Sequence, residues 1–147
     1  MTFKRPESVL VVIYDQHGDV LVLQRNDDPD FWQSVTGALE LNELPRQTAK
    51  REVREETGID ITDELSLIDC RHINQYAIRP QWQHRYPPGE SVNTEYVFAL
   101  QVDRDVDIRL TEHSQFRWLS RQQASELVWS PSNKEAIIKF VPDSAEL

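Results

Sequence analysis

Apolar positions along the chain fall into two rhythms. Val9 to Tyr14 is an unbroken apolar run rich in β-branched residues, which predicts a strand over Ser8 to Tyr14 buried on both faces. The turn Asp15-Gln16-His17-Gly18-Asp19 separates it from a second predicted strand, Val20 to Gln24. Leu65 to Ile73 and Glu95 to Val102 are further strand segments, and Ser114 to Leu119 alternates loosely enough for a short one. Helical spacing is sparser. Pro45 sits at the first turn of a predicted helix running to Thr57, with Gly58 as its stop; its thin apolar side is mainly Ala49 and Val53. Ser130 followed by Pro131 predicts a final helix to Phe140. Between strands, the polar, aromatic and proline-rich stretch 81–89 reads as a loop.

Strands and helices interleave without a regular βαβ rhythm. An α+β sandwich with a mixed sheet is therefore expected, not a doubly wound sheet. No repeat, low-complexity tract or linker interrupts the chain, so one domain over 1–147 is expected.

Charge narrows the partners. With 25 acidic against 16 basic side chains the net charge is −9, which argues against nucleic acid or an anionic membrane as the main partner. A small polyphosphate is still admissible if bound cations invert the local field. The single cysteine, Cys70, cannot form an internal disulfide, and no small-residue cleavage site follows Lys4-Arg5, so a cytoplasmic location is expected. The run at Val9 is too short to span a bilayer.

The acidic segment Arg51-Glu52-Val53-Arg54-Glu55-Glu56 carries the chemistry. On a helix, Glu52, Glu55 and Glu56 are three and four residues apart and are expected to project together. Like charges on one face repel, and a hard divalent cation with oxygen ligands would offset them. Taken alone, a glutamate-rich helix is more often a solvated face. Here the carboxylates do not alternate with lysines, and a turn holding Gly37 and Glu43 leads straight into the helix.

The spacing also matches a signature. Gly37, five residues, Glu43, seven residues, then Arg51-Glu52-Val53 with Glu55-Glu56 and Gly58-Ile59 fill all nine fixed positions of the Nudix box across 23 residues. The chain thus resembles the Nudix family, with Ala38 and Asn42 where glycines are frequent. The resemblance implies an α/β/α sandwich and hydrolysis of a nucleoside-diphosphate-type linkage using Mg²⁺, with Mn²⁺ as an alternative. It implies Glu52 and Glu56 as metal ligands, Glu55 as a further ligand or a base, and Glu43 and Arg51 as braces between loop and helix. An acidic residue outside the box is expected to complete the site; Glu112 is the choice and Glu95 the competitor.

Beyond the box, Gln24-Arg25, the segment 28–37, His84-Arg85-Tyr86-Pro87-Pro88-Gly89 and Asn93-Thr94-Glu95 resemble the bacterial branch of the family that acts on dihydroneopterin triphosphate in folate biosynthesis, with dATP as a secondary substrate. That resemblance implies substrate contacts at Lys4, Arg25, Thr36 and Ser130, with Tyr76, Ala77, Ile78 and Arg79 lining the pocket. Arg25 has the best chemical case, a fork for phosphate oxygens. Tyr76, Trp82 and Tyr86 are placed to stack on a planar ring, whereas Trp32 and Trp118 are expected in the core. The partner is then a small triphosphate and the enzyme a monomer or small homo-oligomer. Two alternatives remain open: another nucleotide substrate, such as a dinucleoside polyphosphate or an oxidised nucleotide, and a non-catalytic nucleotide-binding module. Such modules lose box glutamates, and this chain keeps all four.

Overall fold

Strand β1 (Glu7–Tyr14) is the axis of the computed structural model, which describes residues 3–147. It runs parallel to β6 (Val92–Gln101) along its whole length. Its other edge is shared. The end near Ile13 and Tyr14 pairs with β2 (Val20–Arg25), and the beginning, Ser8 to Val11, pairs with β4 (Val35–Ala38). β1 and β2 therefore splay apart. The chain bridges the gap as β3 (Trp32–Gln33) on β2, then Ser34, then β4 on β1. β5 (Leu67–Ala77) pairs with β6 and β7 (His113–Leu119) with β2, completing a seven-stranded mixed sheet.

Helices cover both faces. Helix α1 (Pro45–Thr57) lies on a core of Val9, Val11, Ile13, Leu21, Leu23, Phe98 and Leu100. α2 (Arg121–Leu127) and α3 (Pro131–Phe140) cover Leu10, Val12, Val20, Val22, Val97 and Ala99. Alternate residues of β1 feed the two cores, which explains its unbroken apolar run. The architecture is the expected α+β sandwich with a mixed sheet. Among the described residues no helix is long and apolar enough to cross a membrane.

Several boundaries differ from expectation for local reasons. β5 begins two residues late because the Asp63 side chain caps a short 3-10 turn, accepting from the Leu65 amide. It continues to Ala77 because the β5–β6 hairpin extends, closed by Ile78 N–H on the Ser91 carbonyl. β3 and β4 carry no alternating pattern, since each is too short and too polar. α2 was missed although Ser120 and Gln123 form a reciprocal capping box, because few of its residues are apolar. Trp32 is buried in the α3-side core, and Trp118 packs half-buried on the other.

α1 ends where Gly58 takes φ 78° and returns its N–H to the Arg54 carbonyl. A Cβ there would also meet Arg109 Cβ at 3.0 Å. Gly58→Ala should cost about 1–2 kcal/mol, which a chain of this size registers as a melting point roughly 2–8 °C lower.

Candidate active site

Arg51 organises the acidic end. Its Nε and Nη2 reach the two Glu43 carboxylate oxygens at 2.8 Å each, and Nη2 also donates to the Ala38 carbonyl at 3.0 Å. Thr48 Oγ1 donates to the same Glu43 carboxylate at 2.6 Å, and its oxygen accepts the Glu40 amide at 3.0 Å. The guanidinium holds the Glu43 carboxyl down to about 2. From Nη1, Arg51 reaches Glu52 at 2.7 Å and Glu55 at 3.2 Å. One cation thus ties the loop to the helix and steadies Glu52. Asn42 in this loop adopts φ 65°, which asparagine tolerates.

Glu52 and Glu56 turn inward together. Glu56 is 2% exposed, and neither carboxylate oxygen has a hydrogen-bonding partner among the described residues. Burial, then the neighbouring Glu52 and the charge of Glu112, pushes its carboxyl well above the ordinary range. Glu52 is raised as well, chiefly by burial, with Arg51 opposing. Gly37 makes the close approach possible, because a Cβ on it would overlap the Glu52 carboxylate. Glu55 lines the same cavity, as expected, but at its rim, where it is half exposed. At about 100° per residue, Glu52 and Glu56 stand some 40° apart, while Glu55 lies about 100° from Glu56.

Glu112 is exposed at the mouth of the same cavity, its loop tied to α1 by Thr111 Oγ1 donating to the Glu55 carbonyl at 2.7 Å. Glu52, Glu56 and Glu112 share one cavity. As they stand, however, no three His, Cys, Asp or Glu side chains among the described residues converge tightly enough to hold an ion. Arg51 holds Glu52 at 2.7 Å, and Glu112 is exposed. A buried, unpartnered carboxylate beside a second one is nevertheless the donor set a hard cation would satisfy.

Two connected lobes form the cleft. The larger, about 890 Å³, holds the carboxylates with Lys4, Arg25 and Arg85; the smaller, about 490 Å³, runs between β5, β6 and the start of α3. Arg25, Gln33, Thr36, Tyr76, Trp82 and Tyr86 line both. Arg25 forks onto Asp27 at 2.8 and 2.7 Å, but Asp27 is mostly exposed, so a phosphate can replace it at little cost. Arg79 does not face the cleft as a free charge; it lies 4.8 Å from the Trp129 ring, 5.4 Å from Trp82 and 5.7 Å from Phe31. Ala77 ends β5, and Ile78 is buried in the wall of the smaller lobe. Two of the expected contacts, Thr36 and Ser130, line the cleft with hydroxyls that also serve the fold. Thr36 Oγ1 already donates to the Val9 carbonyl at 2.9 Å, and the Ser130 hydroxyl caps α3 by accepting from Asn133 N–H at 3.4 Å.

Sequence reasoning assigned nothing to His113 and Gln33. Both are buried, with His113 Nε2 3.8 Å from Glu56 and 3.3 Å from Gln33 Nε2, and burial and the Arg25 charge lower the imidazole. The adjacency of His113 to Glu112 was the available signal. Glu95, the competitor for the acidic position, is buried in the smaller lobe and lines only that one.

Comparisons with known proteins agree with this geometry. The NUDIX domain profile matches residues 4–140. The chain belongs to the Nudix family. It is 48% identical over 145 residues, covering 97% of each chain, to the Escherichia coli K12 dihydroneopterin triphosphate diphosphatase, and 42% identical over 143 residues, 96% of this chain and 90% of the other, to the Haemophilus influenzae protein of that name. The structure of the E. coli dihydroneopterin triphosphate pyrophosphohydrolase superposes with a TM-score of 0.87 at 48% identity, over 96% of this chain and 98% of that one. Nudix hydrolases generally use a divalent metal, and the carboxylates found here fit one.

Two outcomes follow for this Nudix site. Glu43 has a folded pKa below its ordinary value of 4.5, so its ion pair with Arg51 stabilises fully above about pH 4.5 and is lost as pH falls toward about 2. The melting-point gap between wild type and Glu43→Gln should be largest near neutrality and close across that window in pH-dependent thermal melts. Gly37→Ala should displace the Glu52 carboxylate and lower turnover by about 100-fold, with circular dichroism showing the fold kept.

Proposed function

We propose that this enzyme hydrolyses dihydroneopterin triphosphate to dihydroneopterin monophosphate and pyrophosphate, with dATP as a secondary substrate and Mg²⁺ as the metal, Mn²⁺ an alternative. The observation that carries the reading is the 48% identity across 97% of both chains to a protein named for that substrate. The two-lobed cleft supports it, with room for a triphosphate at the acidic end and for a planar ring at the other.

Glu52 and Glu56 would hold the cation, with Glu112 at the cavity mouth completing the set. A magnesium ion bound there supplies neutralisation of phosphate charge and an activated water. Arg51 keeps Glu52 oriented through its bond at 2.7 Å, anchored in turn on Glu43. Glu55, half exposed and held by Arg51 at 3.2 Å, serves as a further ligand or as base. Arg25 exchanges Asp27 for phosphate oxygens as substrate enters, and Lys4 adds a point charge. Trp82 and Tyr86 border the ring. The lone free thiol, Cys70, supports a reducing, cytoplasmic setting, and the acidic surface supports a small-molecule partner in preference to nucleic acid.

Turnover of dihydroneopterin triphosphate in water enriched in oxygen-18 tests this directly. Pyrophosphate and the monophosphate should be the only products, with label in one of them identifying the phosphorus attacked. A kcat/KM for dihydroneopterin triphosphate well below that for dATP would overturn the substrate.

A further inference from the structure

Glu95 is 4% exposed, yet it is a carboxylate in the wall of the smaller lobe. On β6 it pairs in register with Ser8, which in turn pairs with Ala38. It therefore sits two strands, roughly 10 Å, from the β4 end that carries the acidic site. A buried carboxylate costs several kcal/mol unless it is paired and hydrogen-bonded. Its partners are uncharged: the Asn74 amide donates to Oε1 at 3.2 Å, and the Ser132 hydroxyl is its other hydrogen-bonding neighbour. Among the described residues no Lys or Arg forms an ion pair with it, and the nearby His72 imidazole engages Glu135 at 3.1 Å instead. Burial pushes its carboxyl up, opposed by Ser132, Asn74 and His72. A residue serving only to hold Asn74 would not need a charge.

We propose that Glu95 reads the edge of the substrate ring, its two carboxylate oxygens accepting the ring N–H and the adjacent exocyclic NH₂ of the dihydropterin. That edge presents two parallel donors, the same fork a guanidinium offers a carboxylate. Adenine presents one donor beside one acceptor, so against it an ionised Glu95 leaves one oxygen facing a lone pair. Glu95 is then the specificity determinant that favours the pterin over dATP. The inference rests on the pterin reading above.

Glu95→Gln keeps the shape but offers one acceptor and one donor, which suits adenine and not the pterin. Because a hydrogen bond to a charged group is lost and an unmatched donor faces the ring, the ratio of kcat/KM for dihydroneopterin triphosphate to that for dATP should fall roughly 10- to 100-fold. Glu95→Asp, which keeps both acceptors but withdraws them by one methylene, should lower the ratio less. Should circular dichroism show Glu95→Gln unfolded, the Asp variant decides by the same criterion. A ratio that stays at the wild-type value, whether both activities fall together or neither does, overturns the inference. A wild-type enzyme that hydrolyses dATP but not dihydroneopterin triphosphate overturns the function instead, so the two failures are distinguishable.

Discussion

The arrangement of this site depends on a carboxylate that has nowhere to put its charge. Glu56 is buried, both oxygens lack a partner among the described residues, and Glu52 stands beside it. Left alone, such a pair costs several kcal/mol, and burial raises both carboxyls, that of Glu56 further through the neighbouring Glu52. The fold retains it by surrounding it with supports: Gly37 leaves the space, Arg51 fastens Glu52, and Glu43 with Thr48 fastens Arg51. On the reading proposed above, stability given up at Glu56 would be the cost of a seat for a hard cation.

The sheet supplies the other half. Because β1 shares one edge between β2 and β4, the two strands diverge, and the gap between them becomes the cleft. Arg25, at the bulged end of β2, and Gln33 and Thr36, on the crossing segment, line both lobes. The acidic lobe and the smaller lobe thus sit at opposite ends of one opening. On the function proposed above, a chain of net charge −9 would take a triphosphate because a bound cation and Arg25 reverse the field locally.

Much of this was legible in the residues. The apolar run at Val9 to Tyr14 announced a doubly buried strand, and Pro45 with Gly58 bounded α1 as Pro45–Thr57. The box glutamates were legible by spacing, but their separate orientations were not. Which of Glu52, Glu55 and Glu56 turns inward depends on the packing of Ala49 and Val53 against the sheet. β3, β4 and α2 escaped because short elements with few apolar residues owe their form to tertiary pairing and caps. Thr36 and Ser130 lie in the cleft wall, and only the fold shows that their hydroxyls also serve the Val9 carbonyl and the cap of α3. Glu95 and His113 are far in sequence from the box, so only the fold reveals their burial in the cleft.

The central claim is that Glu56 is held without a partner in order to take a cation. Calorimetric titration of Mg²⁺ into the substrate-free enzyme, beside Glu56→Gln, tests it without recourse to turnover. The account predicts saturable binding in the wild type and a loss of about 100-fold or more in affinity in the variant, consistent with removal of a charged oxygen ligand. Equal affinity in the two proteins, with both folded, would contradict it.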